Sequence, residues 1–125
     1  MARILLLTGD LLFGSNVQGA LAGAGHSVEL VPDGTRLERS LAEPGPEAPG
    51  LLIVDLTDQS LAAAAIYAAL PEPARELPSL GFYSHVDTAS RERGEAAGIH
   101  QVVPRSRIAR EAPALVERLL AGAQS

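Results

Sequence analysis

The chain has 125 residues, 46% of them hydrophobic, and a net charge of -5. That size and apolar content fit one folded domain with a real core, and the acidic balance argues against a nucleic-acid or anionic-membrane binder. Lysine and cysteine are both absent, which excludes Walker-type phosphate loops, Schiff-base chemistry, disulfides, thiol nucleophiles and cysteine-ligated metals.

No apolar run reaches the length of a membrane span, and the N-terminus lacks the pattern of a secretory signal. A soluble, cytoplasmic protein is expected. Residues 4–7 form a short apolar run that reads as a buried strand ending at Thr8-Gly9-Asp10. Asp10 or Ser15 can cap a helix running to about Ala24, with Val17, Ala20, Leu21 and Ala24 on one face and Gly25 as its stop. Leu11-Leu12-Phe13 is expected outside a regular element, either as a docking or ligand-covering patch or as packing beneath the loops. Residues 28–31 alternate as an outer strand does. Pro32-Asp33-Gly34 is a turn, and Thr35 is the expected cap of a short helix with Leu37 and Leu41 inward.

A proline- and glycine-rich loop over 43–50 returns the chain to Leu51-Leu52-Ile53-Val54-Asp55. Four apolar residues ending in a carboxylate are the pattern of a buried parallel strand that delivers an acid to the edge of its sheet. An unpaired buried charge is too costly, so Asp55 is expected at the carboxyl end of the strand, where open α/β sheets place their sites. There it can serve as a reactive or metal-binding acid, or it can cap the backbone amides of residues 57–60 or pair with Arg105. An alanine-rich helix follows over 61–70, stopped by Pro71 and Pro73. Residues 80–83 are the fourth strand, ending at Ser84-His85. A polar-faced helix covers 88–97 and closes at Gly98. Residues 101–103 are a short fifth strand ending at Pro104-Arg105, and 106–120 are the last helical segment. Pro113 opens the main part of that helix after a preceding turn.

Five strands alternating with five helices predict a doubly wound, five-stranded parallel sheet of flavodoxin type, in one domain over 1–125. The common order is 2-1-3-4-5, with its crevice between strands one and three. The ends of strands one, three, four and five then converge. They bring Asp10, Asp55, Ser84 and Arg105 together, with Thr8, Phe13, Asp58 and His85 on the rim.

Other constellations are weaker. Ser84, His85 and Asp87 contain the residue types of a hydrolytic triad, but neighbours at a strand end point apart. His26 and His100 are expected at the opposite end of the sheet from His85, so the three do not form a metal site. Gly9 and Gly14 lack the third glycine of a dinucleotide fingerprint.

The four converging positions resemble those of response-regulator receiver domains, the CheY-like modules of bacterial two-component signalling, over essentially the whole chain. The resemblance makes Asp55 the phosphoacceptor, Ser84 the hydroxyl residue that ends strand four, and Arg105 the counterpart of the family's lysine. The residues 98–105, Gly-Ile-His-Gln-Val-Val-Pro-Arg, resemble the segment leading to that lysine. It also implies Mg²⁺ held by acids after strand one. Here Thr8-Gly9 fill the places of the acid pair and Asp10 stands one position late, which leaves Asp10 and Asp55 as the Mg²⁺ ligands. Val102 stands where the family has a switch aromatic. Arginine is not equivalent to lysine, since its planar fork can grip a carboxylate bidentately. Arg105 is therefore expected to hold Asp55 in a standing ion pair.

The resemblance thus implies an atypical, non-enzymatic receiver that signals through contacts with a partner protein, without conventional aspartyl phosphorylation. It further implies a homodimer face formed by the fourth helix, fifth strand and fifth helix. Output is expected from a partner, or from a longer protein of which this is a part. Two alternatives remain open: a phosphorylatable receiver with Asp55 as acceptor, and a small-anion-binding or enzymatic flavodoxin-like protein in which Arg105 grips the anion.

Overall fold

A computed structural model describes residues 2–43, 45 and 47–123; Pro44 and Pro46 of the expected loop lie outside the described residues. The strands are β1 (Arg3–Leu7), β2 (Ser27–Val31), β3 (Pro49–Asp55), β4 (Ser79–Tyr83) and β5 (Gln101–Pro104). They form one parallel sheet in the order β2-β1-β3-β4-β5. The helices are α1 (Leu11–Gly23), α2 (Gly34–Ala42), α3 (Ala63–Ala68), α4 (Glu72–Arg75), α5 (Thr88–Ala96) and α6 (Arg105–Ala123).

The apolar strands are buried on both sides because alternate residues feed two separate cores. Ile4, Leu6, Leu51, Ile53, Leu80, Phe82 and Val103 face α1 and α6, where Phe13, Val17, Leu21, Ile108, Leu115 and Val116 meet them. Leu5, Leu7, Leu52, Val54 and Leu56 face the other way, onto Leu37, Ala63, Tyr67, Leu70 and Ile99.

Several local expectations change. Leu11-Leu12-Phe13 is not irregular: it is the first turn of α1, whose cap is Asp10, accepting from the Phe13 amide at 3.0 Å. Asp33, not Thr35, caps α2 by accepting from the Arg36 amide at 2.8 Å. The helix expected over 61–70 shortens to six residues. Asp58 ties the preceding turn through Ser60, and Ala62 takes a left-handed conformation with φ of 53°. Pro71 does stop α3, but Pro73 lies inside the additional short helix α4, near its start, where the missing amide is no loss. Gly98 ends the α5 region with φ of 96°, a value L side chains avoid. In α6 the backbone leaves helical geometry at Glu111, so the turn before Pro113 and the helix after it are distinct, as read from the sequence.

α5 docks by small groups. Its buried residues are Ser90 and Gly94. Leu56 fills the space between that helix and the sheet: a Cβ built on Gly94 would come within 2.6 Å of Leu56 Cδ1, and one on Gly81 within 3.2 Å. Val102 packs on this same side.

At the opposite end of the sheet, Glu29 joins Arg3, Arg36 and the buried Ser40. The Ser40 hydroxyl, with help from Arg3, holds the Glu29 carboxyl below the usual glutamate value of 4.5, against a smaller opposing effect of burial. A depressed folded value means that the unfolded chain binds the proton more readily. Glu29 therefore adds stability above about pH 4.5, and that contribution is lost as pH falls through the folded value. Urea titrations between pH 3 and 7 should show a steeper acid loss in the native chain than in Glu29→Gln. Parallel curves for the two would contradict this role.

Candidate functional site

Asp55 closes β3 in the register that pairs Leu7 with Val54, which sets the next residue of each strand, Thr8 and Asp55, side by side. The Thr8 hydroxyl donates to Asp55 Oδ2 at 2.6 Å. Asp55 Oδ1 accepts from the Thr57 amide at 2.8 Å and from the Thr57 hydroxyl at 2.6 Å. Asp55 is 1% exposed and Thr8 is equally covered. The sequence reading placed this acid correctly at the carboxyl end of the strand. Its burial is tolerated because three donors meet the carboxylate, and hydrogen bonds to a charged acceptor are the stronger kind.

Arg105 does not pair with Asp55. Its Nη2 donates to Asp10 Oδ2 at 3.0 Å, in a pair whose side chains are 44% and 41% exposed. The guanidinium lies over the Phe13 ring, 4.3 Å from its centroid, and Phe13 in turn tilts against Phe82 at 5.1 Å. The correction has a geometric cause. Arg105 opens α6 on the side of the sheet shared with α1, so the nearest acid is the cap of α1 rather than the covered end of β3. The Asp10 amide donates to Thr8 Oγ1 at 3.0 Å, which links this outer pair to the inner one. All four carboxylate oxygens of Asp10 and Asp55 thus already accept hydrogen bonds.

The remaining rim residues are more open. Ser84 and His85 are exposed after β4, and the Ser84 carbonyl accepts from the Asp87 amide at 2.8 Å. Asp87 then caps α5 through Ser90. Asp58 accepts from the Ser60 hydroxyl and amide, and that hydroxyl is the main cause holding its carboxyl below the usual aspartate value. Leu11, Leu12 and Val86 are 68%, 77% and 80% exposed at this end of the molecule. His26 and His100 sit at the other end, as expected. His26 Nδ1 accepts from the Ala2 amide while Nε2 meets Glu117, and His100 pairs with the buried Ser79. Of the expected cap over the amides of residues 57–60, Asp55 takes the Thr57 amide, and the Thr57 hydroxyl adds a bond not foreseen, in the local turn of an aspartate followed two residues later by threonine.

Among the described residues, no group of three or more His, Cys, Asp or Glu is arranged to hold a metal ion. Also among them, no helix is long and apolar enough to cross a membrane.

No protein-family model matches the sequence, and no curated protein matches it. Solved structures do. The signal receiver domain of a signal transduction histidine kinase from Syntrophus aciditrophicus is 20% identical, with a TM-score of 0.82 over 98% of this chain and 92% of that one. A CheY-like response regulator receiver domain protein from Methanospirillum hungatei JF-1 is 13% identical, with a TM-score of 0.81 over 99% and 97%. NtrX from Brucella abortus is 19% identical at a TM-score of 0.81, and there the chain spans 28% of the longer protein. Sheet order and these likenesses agree: the chain has the fold of the response-regulator receiver domains.

Proposed function

We propose that this protein is a pseudo-receiver: a non-enzymatic signalling module that acts through protein contacts and does not use conventional aspartyl phosphorylation. One observation carries the reading. Asp55 is 1% exposed, and both its oxygens are engaged by Thr8 and Thr57. A nucleophile needs a free, approachable oxygen in line with the phosphorus, and here that approach is closed by two hydroxyls.

The charge partners favour the same reading. Mg²⁺ prefers octahedral oxygen ligation from carboxylates and waters. The candidate ligands do not fit this need, because Asp55 is enclosed and Asp10 is divided between the Phe13 amide and Arg105. Thr8 and Gly9 occupy the places where a receiver carries its acid pair. Arg105, turned onto Asp10 and Phe13, offers its guanidinium neither to Asp55 nor to an anion in the crevice. Partner contact is supported by the exposed apolar side chains Leu11 and Leu12, which follow Asp10 in the first turn of α1, and Val86, which follows β4. The α5–β5–α6 face, the counterpart of the expected homodimer face, carries the helical pairs Arg91–Glu95 and Arg107–Glu111. Such exposed pairs add little stability of their own.

The competing reading is a phosphorylatable receiver. It is favoured by the position of Asp55 at the end of β3, by the exposed Ser84, and by the fold likeness to RcpA, a cyanobacterial phytochrome response regulator whose structure is phosphorylated. Incubation with acetyl phosphate and millimolar Mg²⁺, followed by intact-mass measurement, separates the two. The native chain should gain no phosphoryl mass. A gain that is present in the native chain and absent in Asp55→Asn would overturn the proposal.

A further inference from the structure

A cavity of about 300 Å³ opens on the side of the sheet away from Arg105, between the chain that follows Asp55 and helix α5. Its apolar lining is Leu56 and the alanines 62–65, and its polar lining is Asp58, Gln59, Ser90 and Arg93. The volume is at the small end for sites that enclose small molecules. It exists because this wall is built of alanines and because Leu56 is drawn inward against Gly81 and Gly94.

The polar groups are unequal. Ser90 is 2% exposed, and its hydroxyl donates to Asp87 Oδ2 while accepting from Arg93 Nη2 at 2.9 Å. The bond from Arg93 holds one nitrogen of its exposed guanidinium beside the cavity, and its other N–H donors make no hydrogen bond among the described residues. Arg93 has no carboxylate within ion-pair distance among the described residues, and the nearby Asp87 carboxylate, joined to it through the Ser90 hydroxyl, offsets its charge only in part. The exposed Gln59 side chain, also in the lining, makes no hydrogen bond among them. Asp58 Oδ1 is committed to Ser60, and Oδ2 lies on the Gly9 side, 3.7 Å from where a Gly9 Cβ would stand. One anchored cation, one uncommitted amide, an apolar wall and a negative rim make a definite chemical specification.

We infer that the cavity between the Leu56–Gln59 segment and α5 binds a small monocarboxylate with a compact apolar body, its carboxylate on Arg93 and Gln59 and its body against Leu56 and the alanine wall. A planar fork recognises a carboxylate in bidentate fashion. Asp58 in the lining repels every negative group, so a ligand with one carboxylate, which Arg93 can offset, is favoured over one with two. The site is independent of any chemistry at Asp55, so it stands whether or not that residue accepts phosphate.

The test is a ¹H–¹⁵N titration of the full chain with sodium benzoate, with phthalate and inorganic phosphate as comparison arms at matched ionic strength. Benzoate should shift the amides of Leu56, Gln59, the alanines 62–65 and Ser90 saturably, with a dissociation constant on the order of 1 mM. Phthalate and phosphate should bind at least about tenfold more weakly. Arg93→Gln should weaken benzoate about tenfold or more, and Arg91→Gln, one helical face away with the same charge change, should not. Circular dichroism on each variant separates lost binding from lost fold. Absence of saturable shifts in the native chain, shifts confined to other residues, or equal binding by folded Arg93→Gln would each overturn the inference.

Discussion

Asp55→Ala is expected to destabilise the protein by about 2–4 kcal/mol, because it strands buried donors that now end on a carboxylate. The Thr57 amide and hydroxyl lose their only acceptor in that loop, and the Thr8 hydroxyl loses the partner that fixes it. Asp55→Asn should cost less, about 1–2 kcal/mol, since one oxygen survives while its amide group replaces an acceptor. Urea denaturation followed by circular dichroism reads both. The sign is informative as well as the size. An acid kept for chemistry in a cluster of like charges tends to burden the fold, so its removal would leave stability unchanged or raise it. A neutral or stabilising Asp55→Ala would contradict the structural role assigned to the carboxylate.

Phe82→Ala should cost about 3–5 kcal/mol. Phe82 is fully buried on β4 and supports Phe13, on which the Arg105 guanidinium rests. Removing the ring leaves a cavity between β4 and α1 and also withdraws the platform beneath the exposed pair. Arg105→Gln, by contrast, should change stability by no more than about 1 kcal/mol, since its ion pair and ring contact are both partly solvated. Thermal denaturation of the two variants should therefore differ widely. Comparable losses would mean that Arg105 is far more deeply engaged than its 44% side-chain exposure indicates.

The architecture was legible because each strand announces itself as an apolar run closed by a polar residue or turn. Leu51 to Val54 could only be a strand covered on both faces, and the alternation with helical stretches then left few topologies. Local caps were less legible. Asp33 and Asp87 compete with Thr35 and Thr88 at neighbouring positions, and only the backbone path decides which oxygen reaches the amide. The shortened α3 reflects the same limit, for the turn at Asp58–Ser60 and the left-handed Ala62 override good helix-forming alanines. At the site, the sequence brought Asp10, Asp55 and Arg105 to one sheet edge. The pairing among them depends on which side of the sheet each side chain leaves from, and Thr8 decides it by occupying Asp55 first.

Leu56 deserves to be seen as a mechanical part. It follows Asp55 directly, yet its methyl group sits in a notch made by glycines of two other elements, Gly81 of β4 and Gly94 of α5. A peg in a close-packed notch has no slack, since interiors are as dense as organic crystals. The segment after Asp55 and helix α5 are therefore geared together: neither can slide past the other unless the leucine is first withdrawn.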